Sequence, residues 1–262
     1  MKTYSRAACT ALWFTGAAAL WEAASLILKY GIQDPMASKK VPGLWEIGVS
    51  FAENGAELMG QAGITMSYAA AGFAIGALAG IILAVLMSLS GLCEKMLLPY
   101  LLFSQMIPIL GLAPIVFGIF KDISVSRTVI AAYITFFPVA VNLLSGLKSV
   151  KEELKTMMIS YASGKRQLYF KLLFPFSLPY LFSGLKISAP MAVTAAILVD
   201  TLSSKDGIGY VIIFTLYGGG TAGQFWPALI ISAVLGLMSF ILISAAEYIF
   251  VPWKRRRKGT EL

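Results

Sequence analysis

Six stretches of this chain are apolar for about the 20 residues that a helix needs to cross a bilayer: Ala8 to Leu28, Ile64 to Leu89, Leu97 to Phe120, Val129 to Leu147, Leu178 to Val199 and Phe225 to Val251. Hydrocarbon offers no hydrogen-bond partner to a peptide N–H or C=O. A segment immersed in it must therefore satisfy its own backbone, and a run of this length does so as a helix. Composition agrees: 58% of the residues are hydrophobic and only 13% are charged, where a soluble domain carries roughly a quarter. The expectation is an all-α polytopic membrane protein with six transmembrane helices and a single domain covering residues 1–262.

Several chemistries find no support. The chain has no histidine, and its two cysteines, Cys9 and Cys93, have neither metal-ligand spacing nor the number for a disulfide framework. No His/Cys/Asp cluster or nucleophile–base pairing stands out, and no G-x-x-x-x-G-K-[ST] loop occurs. The net charge of +8 is explained by anionic lipid headgroups, so nucleic acid is not expected as a partner. Lys2 and Arg6 before an apolar run resemble a signal peptide, but the run is long for a signal core and reads as a retained first helix.

Lys and Arg placement sets direction. With the N-terminus in the cytoplasm, all basic residues except Lys29, Lys39, Lys40, Lys121, Arg127 and Lys205 fall inside, including the tail Lys254 to Lys258. The acidic residues Asp34, Glu46, Glu53, Glu57, Asp122 and Asp206 fall outside. Both termini are expected in the cytoplasm. The segment Lys29 to Gly63 reads as an external loop with a short surface helix, and Leu202 to Gln224 as a second, Gly-rich external loop.

Within the spans, Gly72, Gly76 and Gly80 recur every four residues, with Ala69 and Ala84 extending the stripe. Such spacing lets two helix backbones approach closely, within the chain or between subunits. Pro99, Pro108, Pro114, Pro138 and Pro190 mark kinks. Intramembrane polar residues are costly and default to functional hypotheses. Gln105 and Asn142 are candidates to line a solute path, as are the aromatic Tyr133 and Phe136, which with Phe103 and Phe137 suit a flat ring. Asp200 is placed at a pore mouth or against Lys205. Glu247 is read as a partner of the basic tail, and Glu22 has no assigned role.

One polar stretch interrupts the pattern. From Lys148 to Phe176 the chain is basic and amphipathic, with Leu154, Met157, Met158 and Tyr161 at helical spacing. Leu168, Leu172 and Phe176 repeat after a break at Ser163-Gly164. This reads as two short helices meeting at a corner of Ala162, Ser163 and Gly164, small enough for another protein's groove to close around. An amphipathic hairpin resting on headgroups fits the same residues.

Here the chain resembles a known family. Y-A-S-G-K-R-Q-L-Y-F-K-L-L-F-P-F-S-L-P-Y-L-F-S-G-L-K-I-S (Tyr161 to Ser188) is similar to the cytoplasmic coupling loop of ABC importer permeases, in the branch serving sulfonate, taurine, nitrate, thiamine-pyrimidine and riboflavin importers. Q-M-I-P-I-L-G-L-A-P-I-V-F-G-I-F (Gln105 to Phe120), F-F-P-V-A-V-N-L-L-S-G-L (Phe136 to Leu147) and the D-G-I-G-Y turn (Asp206 to Tyr210) resemble that branch as well. Coverage runs from about Ile64 to Tyr210. The family's Glu-Ala-Ala falls on Thr156, Met157 and Met158, and its glycine on Ala162. All four positions differ here.

The resemblance implies a type I ABC importer permease fold in a bacterial cytoplasmic (inner) membrane, with two permease copies forming the pathway. It implies cytosolic ATPase subunits gripping a coupling loop at 148–176 through Met158, Tyr161, Ala162, Ser163, Gly164, Lys165 and Arg166, and an extracytoplasmic solute-binding protein. No cofactor is expected on this chain, since ATP and magnesium belong to the ATPase. The implied cargo is a small organic solute, pyrimidine- or riboflavin-like or sulfonate-like. A secondary transporter or channel acting without an ATPase is the alternative, although no self-similarity between halves supports inverted repeats.

Overall fold

The computed structural model describes residues 2–33, 37–218 and 222–253. Asp34 and Pro35, part of the 218–220 glycine run, and the basic tail lie outside the described residues. The ordered elements are helical: α1 (Lys2–Leu26) closing in a π turn (Ile27–Gly31), α2 (Ala37–Lys40), α3 (Leu44–Leu89), α4 (Gly91–Ser104), α5 (Ile109–Phe120), α6 (Ile123–Lys148), α7 (Glu152–Ser160), α8 (Lys165–Leu168), α9 (Phe174–Ser203), α10 (Ile208–Leu216) and α11 (Phe225–Phe250). No strand occurs among the described residues. Among the described residues, five helical stretches are long and apolar enough to cross a membrane, and α4 with α5 makes a sixth if that bent pair is one span.

The expected third span is therefore broken: α4 and α5 meet at 96°. The last turn of α4 tightens into i→i+3 bonds, Gln105 N–H to Leu102 O at 3.2 Å and Met106 N–H to Phe103 O at 3.0 Å. Pro108 then stands in extended conformation (φ −64°, ψ 123°) as the N-cap of α5. Its ring has no N–H to continue the α4 ladder, and it disfavours helix in the residue before it. Lys121, at φ +51°, ends α5, and the Asp122 carboxylate caps α6 by accepting from the N–H groups of Ser124 (2.7 Å) and Val125 (3.0 Å).

A second expectation fails in the segment 29–63. Residues 44–63 are not a loop but the first part of α3, which runs unbroken for 46 residues. The Glu46 carboxylate accepts from Gly43 N–H (3.2 Å), half of a capping box, and Glu22 accepts from Leu44 N–H (3.0 Å). Likewise residues 208–216, expected in the second external loop, form α10.

The chain divides into two compact units. One comprises Met1–Gly60 and Val211–Ile231. In it Trp21 and Trp226 meet edge to face at 4.8 Å, and their indole N–H groups donate to Pro42 O and Lys39 O. Ser50 donates to Gly223 O at 2.8 Å, and Gln224 donates to Asn54 Oδ1 at 2.9 Å. Two stretches read as separate outer loops are thus tied together by side-chain hydrogen bonds.

The other unit, Gln61–Tyr210 with Ser232–Leu262, is organised around α6. Gly72, Gly76 and Gly80 of α3 lie directly on the α6 backbone. A Cβ on Gly72 would sit 2.5 Å from Thr128 O and one on Gly80 2.5 Å from Phe136 O, while one on Gly76 would strike Ala132 O. The small-residue stripe is an intrachain contact. On α9, Gly184 packs against Pro138 O, and Gly146 of α6 receives Tyr180 and Ser177. Ile130, Ala131, Val139, Ala140 and Leu143 of α6 are wholly buried as a result.

One end of this unit is closed by charge. Arg127 of α6 and Asp200 of α9 are both fully buried and paired, Nε to Oδ1 at 2.5 Å. Arg127 Nη2 also donates to Ser204 Oγ, Asp206 O and Asp206 Oδ1 at 2.5–2.7 Å. Its guanidinium carbon lies 5.3 Å from the Tyr68 ring centroid. Asp200 Oδ2 accepts from Thr65 at 2.6 Å, and Thr65 Oγ1 in turn accepts from Ile208 N–H at 2.9 Å. Gly207 (φ +92°) and Gly209 press their backbones onto Asp200, where any Cβ would collide. The D-G-I-G-Y turn is thus wrapped around the ion pair. Asp200 pairs with Arg127, not Lys205, because two antiparallel helices bring span ends together that lie far apart in sequence. The Arg127 hydrogen bond holds the Asp206 carboxyl below the usual carboxylate range. Its contribution is complete above the unfolded carboxylate value and disappears only as acid takes the pH down through the lowered one.

Two measurements check this packing. Gly76→Val should cost about 1–3 kcal/mol by overpacking and lower the melting temperature of the purified protein, whereas Gly63→Ala, where a Cβ meets nothing within 4 Å, should leave it unchanged or raised. Asp200→Ala strands a buried guanidinium and should cost about 3–5 kcal/mol, with the double variant Arg127→Met/Asp200→Leu recovering part of the loss in the same melting assay.

Candidate functional site

The break between α4 and α5 opens a cavity of about 310 Å³, lined by Ser104, Gln105, Ile107, Pro108, Ile109, Tyr133, Ile134 and Met191. Backbone leaves helical form at membrane depth only where it is buried in protein or lines a water-filled cavity, and here the break lines this cavity. The Tyr133 hydroxyl donates to Ser104 O and pins α6 to the end of α4, and Ser104 Oγ donates to Leu101 O at 2.7 Å. The half-buried Gln105 makes no side-chain hydrogen bond to any described residue.

Of the residues read as a solute path, the structure brings Gln105 and Tyr133 together here. Phe136 stands behind Tyr133, ring centroids 5.8 Å apart, and packs into the core that contains Val139 and Ala140. Asn142 is elsewhere on α6, its amide donating to Pro138 O at 2.8 Å. Asp200 is inside the ion pair described above. Phe103 is largely exposed at 65%. Sequence reasoning did not single out Ile107, Ile109, Ile134 or Met191, which are ordinary apolar residues until the helix breaks. Glu247 is held by Lys186 of α9 at 2.7 Å, and Glu22, unassigned in the sequence, caps α3.

The elbow at 148–176 has a different build. α7 ends in a Schellman closure: Ala162 N–H donates to Ile159 O at 2.9 Å and Ser163 N–H to Met158 O at 3.2 Å. Ser163 Oγ adds a bond to the same Met158 carbonyl at 2.5 Å. The closure requires a left-handed residue, and Ala162 supplies it at φ +55°. A glycine is the unstrained choice at that position. Gly164 then caps α8, which does not stop as a separate short helix. It passes through a π turn (Tyr169–Leu173) into α9. The wider turn accommodates Pro175, which brings no N–H and whose ring would crowd the carbonyl of Lys171.

One face of the elbow is seated on the unit. Val150 and Leu173 are buried, Leu154, Leu168, Leu172 and Phe176 pack against them, and Tyr169 hydroxyl meets Ser88 Oγ at 3.1 Å. At the elbow's base Lys148 is paired with Glu94. The other face leaves Met157, Ile159, Tyr161 and Phe170 between 50% and 81% exposed, with Lys165 and Arg166 beside them. Arg166 lies over the Phe170 ring at 5.9 Å. Leu154 packs on the core while Met157 and Tyr161 are exposed, so the expected single face of α7 is split between core and surface.

Comparison with known proteins places this architecture. A family model for the "Binding-protein-dependent transport system inner membrane component" matches residues 76–255. The formylaminopyrimidine transport permease protein ThiX of Halalkalibacterium halodurans is 34% identical, over 74% of this chain and 77% of its own length. The putative aliphatic sulfonates transport permease protein SsuC of Bacillus subtilis is 27% identical over 78% and 73% respectively. The riboflavin transport system permease protein RibX of Chloroflexus aurantiacus is 29% identical over 62% and 60%. These relatives are transport permeases and not enzymes. With its helices, its broken third span and most of its length inside the family model, the chain belongs to the inner membrane components of binding-protein-dependent transport systems, the permease subunits of ABC importers.

Proposed function

We propose that this chain is the membrane pathway of an ATP-driven importer for a small organic solute, pyrimidine- or riboflavin-like in preference to sulfonate-like, and that a separate ATPase drives it through the elbow at 148–176. The observation that carries the reading is the two-faced elbow. An apolar surface of Met157, Ile159, Tyr161 and Phe170 beside basic Lys165 and Arg166 is costly to leave in water, and it stands on a base fixed to the core. Met158 and Ser163 hold the corner closed, and Ala162, Gly164, Lys165 and Arg166 are its exposed tip. A partner groove that closes on the corner can push the base without unfolding it. ATP and magnesium act on that partner.

The rest of the reading follows from family membership and charge placement. The chain is a single permease domain, 1–262, in a bacterial cytoplasmic membrane with both termini cytoplasmic. A second copy completes the pathway, lipid surrounds the pair, and an extracytoplasmic binding protein delivers the solute. The preference for an aromatic cargo rests on Tyr133 and Phe136 near the cavity and on the name of the formylaminopyrimidine transport permease that resembles this chain.

The test is made at the corner. A cysteine at Ser163 should cross-link to the co-expressed ATPase. Gly164 has open space around it, so Gly164→Trp should fold normally yet cut ATP-driven uptake in proteoliposomes at least tenfold while basal ATP hydrolysis continues. Uptake by the chain alone, without ATPase or ATP, would overturn the reading. Ala162→Gly relieves the left-handed alanine and should raise the stability of the purified protein by about 1 kcal/mol, read as a higher melting temperature.

A further inference from the structure

The cavity at the helix break holds a polar group that the fold does not use. The hydrogen bonds of its neighbours are spoken for: Tyr133 donates to Ser104 O and Ser104 donates to Leu101 O. The Gln105 amide alone lines the cavity with both a donor and an acceptor uncommitted. The remaining walls are Ile107, Pro108, Ile109, Ile134 and Met191, apolar, with the Tyr133 ring as a flat face. No Lys, Arg, Asp or Glu contributes to the lining. Arg127, one helix stretch away on α6, is paired with Asp200 and Asp206 and does not line the cavity.

These features define a ligand by exclusion and by match. An anion brought into such walls would lose its hydration with no cation to replace it, and a cation would find no carboxylate. A planar uncharged ring loses nothing comparable, gains contact with Tyr133 and the Met191 thioether, and fits a volume at the small end of ligand cavities. A primary amide presents a donor and an acceptor side by side, and it pairs with a heterocycle edge that offers the reverse pattern. Such an edge satisfies both halves of Gln105 at once.

We propose that the cavity at the α4–α5 break is a solute-binding site for an uncharged heterocycle with adjacent donor and acceptor groups, and that Gln105 reads that edge and so determines specificity. The proposal rests on the importer reading for the direction of traffic, but binding itself is measured without it.

The experiment uses the full-length chain purified in lipid nanodiscs, without ATPase, and equilibrium binding of radiolabelled uracil, orotate and choline. Uracil offers the uncharged edge, orotate adds a carboxylate to the same ring, and choline is a cation for the aromatic face. Saturable uracil binding is expected, with orotate and choline at least tenfold weaker. Gln105→Leu should weaken uracil binding roughly three- to tenfold, the worth of a neutral hydrogen-bonded pair, with an unchanged melting temperature. Ile115→Ala, a substitution at an exposed position outside the cavity, should change nothing. Equal binding of orotate or choline, an unaffected Gln105→Leu variant, or no saturable uracil binding would each overturn the proposal. Uptake in proteoliposomes with the ATPase is scored separately: loss of ATP-driven transport with retained uracil binding would sink the importer reading and leave the site standing.

Discussion

Two buried charges, Arg127 and Asp200, hold one end of the central unit in a fixed arrangement. Such a pair is expensive to assemble, because each ion gives up its hydration, and it persists only when further hydrogen bonds complete it. Here the pair, made by α6 and α9, is completed by two further segments, with Arg127 Nη1 left without a hydrogen bond among the described residues. Thr65 belongs to α3, Arg127 to α6, Asp200 to α9, and the Ser204–Gly209 turn leads into α10. Breaking any one contact leaves the others partly unsatisfied in a medium that offers no substitute. The requirement also fixes the residues around it, since only glycine lets the backbone at 207 and 209 approach the carboxylate this closely.

From that anchored end α6 runs as a common wall, with α3 against one side and α9 against another. Both contacts are made at backbone distance through glycine, which gives van der Waals contact that lipid chains cannot match. The pair α4 and α5 stands in contrast. It is bent by 96°, its residues Phe103, Met106 and Leu110 are largely exposed, and its hold on α6 includes the hydroxyl of Tyr133. The close-packed helices form the frame, and the broken pair joins it through the buried Leu101, Ala113 and Val116 while leaving a cavity at its bend.

Much of this was legible in the chain beforehand. Apolar runs located the spans because their length is set by bilayer thickness, and the Gly72-Gly76-Gly80 spacing announced a close helix contact. What escaped did so for physical reasons. Hydropathy does not register a bend, so the third span read as one helix although Pro108 sat inside it. The polar residues at 44–63 read as loop, yet a helix that leaves the hydrocarbon has no need to stop, and Gly43 with Glu46 was the capping signal for its start. Asp200 reads as a pore-mouth residue or, by nearness in sequence, as a partner of Lys205. The better partner lay at the matching end of the neighbouring antiparallel span, a pairing that opposite charges at adjoining span ends could have revealed. The elbow was seen, but its two halves were assigned equal independence. Nothing in periodicity distinguishes a helix that stops from one that widens into a π turn and continues past Pro175.

That continuity matters most for the proposed mechanism. From Lys165 to Leu202 the elbow tip, the π turn and α9 form one 38-residue helical stretch, about 55 Å long at 1.5 Å per residue. One end carries the exposed corner and the other the clasped Asp200, while Met191 in between is a wall of the cavity. On the importer reading, a force applied at Gly164 acts on a rod whose far end is held by charge. The rod carries its own joint, because Pro190 donates no hydrogen bond to the carbonyl four residues back. Pro179 interrupts the same ladder nearer the elbow, so a push at Gly164 meets two such joints before the clasp, and the second adjoins Met191 in the cavity wall.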